Sequence, residues 1–146
     1  MALHPNESPG FLLWHATLRW QRAIATALAP LGLTHVQFVL LASVWWLNGQ
    51  GERPNQLAVA AYAGTDVKMT SQVLRTLERN GLVERATDPD DTRAKLLRVT
   101  AQGGELAPRA VATIERVDAE FFSPVHSGDA VHLLRQLTGR DSGPGA

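Results

Sequence analysis

Cysteine is absent from the chain, which excludes structural disulfides, thiolate metal sites, a cysteine nucleophile and a thiol redox sensor. Net charge is absent as well. Fourteen Lys and Arg offset 14 Asp and Glu, so no overall field draws the molecule to nucleic acid or to an acidic membrane surface. Any nucleic-acid role must come from the placement of a few cations. Long hydrophobic runs are also missing: the longest, residues 38–47, contains Ser43 and is about half of the ~20 residues that span a bilayer. The opening segment, MALHPNESPGFLLWHATLRW, has no Lys or Arg ahead of its apolar stretch and no small-residue cleavage site, so it does not read as a secretion signal. A length of 146 residues holds one compact domain of ordinary size, or one domain carrying helical extensions, not two enzyme-sized units. The expectation is a soluble cytoplasmic protein with no membrane association.

Catalytic signatures are equally sparse. The sequence has no Gly-rich phosphate loop, no nucleophile elbow and no paired carboxylates on a buried face, so neither an enzyme nor a cofactor is expected. His4, His15, His35, His126 and His132 never fall four apart, which leaves no metal motif on a helix face.

Helical periodicity is what the chain does have. Apolar residues at three- and four-residue steps predict a helix over residues 11–28, ended by Pro30 and Gly32. Thr34 is placed to cap a second helix running through Leu47, apolar on nearly every face and therefore the centre of the core. Pro54 fits the first turn of a short third helix, and Ala63-Gly64 the turn after it. Thr65 or Asp66 then caps a fourth helix reaching Arg79, with Met69 or Val73, Leu74 and Leu77 as its inner stripe and Asn80-Gly81 as its stop. Extended segments at residues 82–86 and 95–99 flank the turn Asp88-Pro89-Asp90-Asp91 and predict a charged hairpin. From Thr100 a further helix is expected, either kinked by Pro108 or starting later, followed by a last helix capped by Ser127 or Asp129. Residues 1–10 and 139–146 carry little to bury and read as flexible ends.

Short helix, tight turn, second helix and charged hairpin is the element order of a winged helix-turn-helix, which lays its second helix in the DNA major groove. The fold class is thus mainly α with a small β-hairpin wing. With the apolar stripe inward, Lys68, Thr70, Ser71, Gln72 and Arg75 are left outward: hydroxyls, an amide and cations, the groups that bind phosphates and base edges. Arg93 on the hairpin tip is sized to enter a minor groove, and Lys95 and Arg98 to hold flanking phosphates. A merely solvated helix face is the alternative, since residues 66–99 hold seven cations against six acids.

The segments LTHVQFVLLASV and PNQLAVAAYAGTDVKMTSQVLRTLERNGLVERATDPDDTRAKLLRVTAQG resemble the MarR family of winged-helix transcriptional regulators, a likeness covering roughly residues 11–138. Its most specific part is NGLVER paired with DPDDTRAKLLRVTAQG. The resemblance implies a homodimer intertwined through residues 11–33 and 101–138, a DNA-binding lobe at residues 34–100, and two recognition helices on palindromic double-stranded operator DNA. Asp91 and Arg93 match its wing motif. Pro108 and the short last helix depart from the family pattern. The family's effector crevice lies near the junction where His15, Arg19 and the tryptophan-rich helices meet, so His15, Arg19 and Trp45 are the candidates for holding a small aromatic effector. The competing function class is a winged-helix dimerisation or protein-interaction module that does not bind DNA.

Overall fold

The computed structural model describes residues 4–140. Most of its helices begin where a side chain can satisfy the first free N–H groups. Ser8 caps α1 (Pro9–Leu28), Thr34 caps α2 (His35–Gly49), Asn55 caps α3 (Gln56–Ala63), Asp66 caps α4 (Val67–Arg79) and Thr100 caps α5 (Ala101–Phe121). The cap of α2 is reciprocal: Thr34 Oγ1 accepts from the Gln37 N–H at 3.2 Å, and Gln37 Oε1 from the Thr34 N–H at 3.0 Å. α6 (Ser127–Thr138) is the last helix among the described residues. Between α4 and α5, β1 (Val83–Thr87) pairs antiparallel with β2 (Lys95–Val99), Val83 opposite Val99 and Thr87 opposite Lys95. Mainly α with a two-stranded wing is therefore the observed class.

α2 sits at the centre because it has no polar face to present to water. Leu40, Leu41 and Val44 are fully buried among Ile24 and Leu28 of α1, Val59 of α3, Leu74 and Leu77 of α4, Leu97 of β2, and Ala107 and Ala110 of α5. Each such Leu or Val contributes about 1.5–3 kcal/mol of transfer free energy. Ser43, buried in the same helix, spends its hydroxyl on the Val39 carbonyl at 2.6 Å. α5 packs along both α1 and α2. Its approach to the wing is so close that a Cβ on Gly103 would lie 1.9 Å from the Leu82 carbonyl oxygen, so only glycine fits.

Five local expectations change. Regular structure begins before residue 11, with a 3₁₀ turn at Pro5–Glu7 and the Ser8 cap of α1; residues 1–3, and 141–146 of the expected tail, lie outside the described residues. Pro54 precedes the Asn55 cap instead of occupying the first turn of α3, and its carbonyl accepts from the Leu97 N–H of the wing at 2.8 Å. The first strand starts at Val83, because the Leu82 N–H turns back to Leu77 at 2.9 Å and closes α4. α5 starts at Ala101 and runs through Pro108: Thr100 Oγ1 accepts from the Gly103 N–H at 3.0 Å and fixes that start, so the later one is not observed. Ser127 is the first residue of α6, after an N-cap at His126.

Among the described residues, two apolar surfaces are left without cover. Phe11, Leu12, Leu13 and Trp14 are exposed at the start of α1, and Val131, Leu133, Leu134 and Leu137 on α6. Among the described residues, no single helix is long and apolar enough to cross a membrane.

Candidate nucleic-acid interface

The α3–α4 unit is set by one residue that must be glycine: Gly64 ends α3 with φ +72°, a left-handed backbone that turns the chain within two residues of the Asp66 cap. Asp66 Oδ2 then accepts from the Met69 N–H at 2.9 Å. The rotational phase of α4 follows from its buried residues, which are Thr70, Leu74 and Leu77, with Val73 packed beside them. Thr70 is therefore a correction. It is fully buried, and its hydroxyl donates to the Asp66 carbonyl at 2.7 Å while the Thr65 hydroxyl lies 2.6 Å away. A threonine whose polar atom finds partners one turn back can fill a core slot, and hydrophobicity alone does not reveal it. Met69, expected inside, is turned out and 38% exposed.

With that phase, Lys68, Gln72 and Arg75 are exposed and Ser71 is half-buried. Helical spacing makes Lys68, Gln72 and Arg75 one outward row, since they recur at steps of four and three. Arg79, a further four residues on, shares the face and is exposed. Sequence reasoning confined the face to the first half of the helix; the same spacing would have found Arg79.

The wing tip is organised by its aspartates. Asp88 Oδ1 accepts from the Asp90 N–H at 2.9 Å and Asp91 Oδ1 from the Arg93 N–H at 3.1 Å. Asp91 thus holds the backbone of Arg93, not its guanidinium, and no ion pair of that guanidinium occurs among the described residues. Arg93 and Lys95 are both exposed, and Lys95 Nζ donates to Thr87 Oγ1 across the hairpin at 3.2 Å. Arg98 is engaged with Glu84 on the opposite strand. Arg85 ties the wing to the helices, its Nε donating to Glu78 of α4 at 3.1 Å and its Nη1 to Gln56 of α3 at 3.4 Å.

An open cleft of about 900 Å³ runs between α1 and α5. His15 and Arg19 line it, with Arg22, Val117, Glu120 and Phe121. Trp45 does not. It faces the core from α2, half-buried, so the aromatic wall expected there is supplied by Phe121 instead. Arg22 is the residue missed, although it lies three positions after Arg19 on the same helix face. Beside the cleft, the Trp20 Nε1–H donates to Asp118 Oδ1 at 2.8 Å, and the Trp20 ring meets the His35 imidazole edge-on at 5.0 Å. Burial pushes the His35 pKa below its ordinary value, with the Asp118 carboxylate pulling the other way.

Comparison with known proteins agrees with this arrangement. The MarR family pattern matches residues 33–95. The HTH-type transcriptional regulator YdcH of Bacillus subtilis is 47% identical over 119 residues, covering 82% of this chain and 81% of its own. An HTH-type transcriptional repressor of Mycobacterium tuberculosis is 31% identical over 137 residues, covering 94% of this chain and 96% of its own. The crystal structure of CouR from Rhodococcus jostii, bound to p-coumaroyl-CoA, superposes with a TM-score of 0.79 at 26% identity, covering 93% of each chain. The chain belongs to the MarR family: it is a winged-helix, DNA-binding transcriptional regulator and not an enzyme.

Proposed function

We propose that two copies of the chain assemble through residues 11–33 and 101–138 and act in the cytoplasm as a repressor on a palindromic operator, one α4 in each of two successive major grooves. The observation that carries this reading is the outward row of α4. Lys68, Gln72 and Arg75 project from a helix whose start is fixed by Asp66 and whose other side is locked into the core. Gln and Arg suit bidentate contacts to base edges, and Lys68 suits phosphate. Ser71, half-buried at the margin, reaches only the backbone of the duplex. Arg93 enters the adjacent minor groove from the wing, and Lys95 holds a phosphate beside it. The uncovered apolar surfaces of α1 and α6 are the material for the dimer contact.

The effector is a small aromatic anion held in the α1–α5 cleft by His15 and Arg19. The p-coumaroyl-CoA bound by CouR supports a ligand of this chemistry. Selection of duplexes from a randomised pool, followed by mobility shifts, tests the DNA reading. Gln72→Ala and Arg75→Ala should each relax the preference at one base-pair position, costing ~1–3 kcal/mol, whereas Lys95→Ala should weaken all duplexes alike. Unchanged preferences in both helix variants would remove the reading. Titrating aromatic acids into wild type and Arg19→Ala, followed by tryptophan fluorescence and release of the selected duplex, tests the effector; binding undiminished in the variant would refute the site.

A further inference from the structure

Two apolar side chains bracket Lys68 in the first turn of α4: Val67 is 48% exposed and Met69 38% exposed. Their exposure follows from the fold. Thr70 takes the inner position that a hydrophobic residue would ordinarily claim, and at about 100° per residue this rotates Met69 to the flank, next to Gln72 three positions on. A single exposed apolar residue needs no explanation on most surfaces. Here the surroundings supply one. A helix seated with Lys68 and Gln72 in a major groove also removes water from Met69, and the only apolar group on the floor of that groove is the thymine 5-methyl. Methionine, unbranched and polarizable, adapts to such a partner without a preset shape.

We propose that Met69 is a specificity-determining residue: its thioether side chain packs on the 5-methyl group of a thymine next to the base pair addressed by Gln72. Adenine offers Gln72 a bidentate donor–acceptor edge, so the pair Gln72 and Met69 reads an A·T-containing step, one by hydrogen bonds and the other by apolar contact. Val67, on the opposite flank with Ser71, lies outside this pair. The proposal rests on α4 being the groove-facing helix.

The test uses the full-length protein and a duplex selected by wild type from a randomised pool, with each thymine replaced in turn by deoxyuracil, which removes only the methyl group. At one symmetry-related position, uracil should weaken wild-type binding about fourfold per half-site, the worth of one buried methyl-sized group. In Met69→Ala the penalty at that position should shrink below about twofold, while Met69→Leu, which keeps an apolar side chain there, should retain it. A thermal melt of each variant shows that the fold is kept. Uracil penalties identical in wild type and Met69→Ala at every position overturn the proposal. If in that case Gln72→Ala and Arg75→Ala still shift the preferred sequence, the groove-facing reading of α4 survives without Met69. If they do not, both fall together.

Discussion

Thr70 separates a buried structural role from a DNA-contacting one, and a single isosteric change distinguishes them. Thr70→Val keeps the β-branched shape and removes the hydroxyl. Two hydrogen bonds are then lost, to the Asp66 carbonyl at 2.7 Å and to the Thr65 hydroxyl at 2.6 Å. Their costs are unequal. The Asp66 carbonyl still accepts from the Thr70 N–H at 2.8 Å, so it is not orphaned. The Thr65 hydroxyl loses its partner, but Thr65 is only half-buried and recovers some water. The net loss is thus about 1 kcal/mol, the ordinary worth of one intramolecular hydrogen bond. Thr70→Ala removes a buried methyl as well and should cost ~1 kcal/mol more. Urea denaturation at one fixed protein concentration should show the midpoint falling in that order with an unchanged slope. In the double variant Thr65→Val/Thr70→Val both partners are gone, and stability should recover part of the loss, giving a non-additive cycle. The preferred duplex should be the same for all three. A Thr70→Val protein with wild-type stability and an altered base preference would refute the burial argument and restore Thr70 to the reading face.

Gly103→Ala should destabilise by about 2–3 kcal/mol, because its Cβ meets the Leu82 backbone oxygen at 1.9 Å; Gly104→Ala, whose Cβ meets only Val99 Cγ2 at 3.7 Å, should be neutral or stabilising in the same melt. Arg93→Ala should lower the slope of log affinity against log salt by about one counterion without changing the stability of the fold. Asp91→Ala should weaken DNA binding partway toward Arg93→Ala through the lost 3.1 Å backbone bond, with wild-type affinity in both variants across a salt series leaving the wing a structural role. His35 has a folded-state pKa lowered from its ordinary 6.5 by burial, so the unfolded chain takes up the proton first. Stability should be highest where both states are neutral, fall as pH drops through 6.5, and level off below the folded pKa, and His35→Gln should flatten that dependence in urea titrations.

The element order was legible because several boundaries are written in local chemistry: Thr34, Asp66 and Thr100 at helix starts, and Gly32, Gly64 and Gly81 with left-handed backbones at helix ends. The rotational phase of α4 was less legible. Periodicity offered Met69 as an inner residue, and only the Asp66 carbonyl and Thr65 hydroxyl, brought close by the turn, make Thr70 the cheaper one to bury. The hairpin tip was legible as a turn, but sequence shows only that Asp91 and Arg93 are neighbours, not which atom of Arg93 the carboxylate meets. Long-range partners were beyond reach altogether. Nothing near Pro54 announces that its carbonyl will accept from Leu97, and nothing near Gly103 announces Leu82.

If the α1–α5 cleft holds the proposed effector, contacts between residues far apart in sequence decide how it can act on α4. A ligand releases DNA only by binding better to a conformer whose recognition helices no longer match successive grooves. α1 and α5, the walls of the cleft, are pinned together by the Trp20–Asp118 hydrogen bond, directly beside His35 at the start of α2. At the other end of α2, Asn48 holds the wing: its Nδ2–H donates to the Leu97 carbonyl at 3.2 Å, and its Oδ1 accepts from the Val99 N–H at 2.9 Å. Along its length, α2 packs its fully buried leucines against Leu74 and Leu77 of α4. A close-packed interior does not absorb displacement by compressing, so a shift of α1 against α5 that tilts α2 must move the wing and α4 with it. Asp118→Asn tests that linkage, since it keeps the acceptor oxygen for Trp20 while removing the charge beside His35. If the path is mechanical, effector-driven release of the selected duplex should persist in Asp118→Asn and be lost in Asp118→Ala, which breaks the pin. Equal release in both variants would show that the cleft reaches α4 by another route.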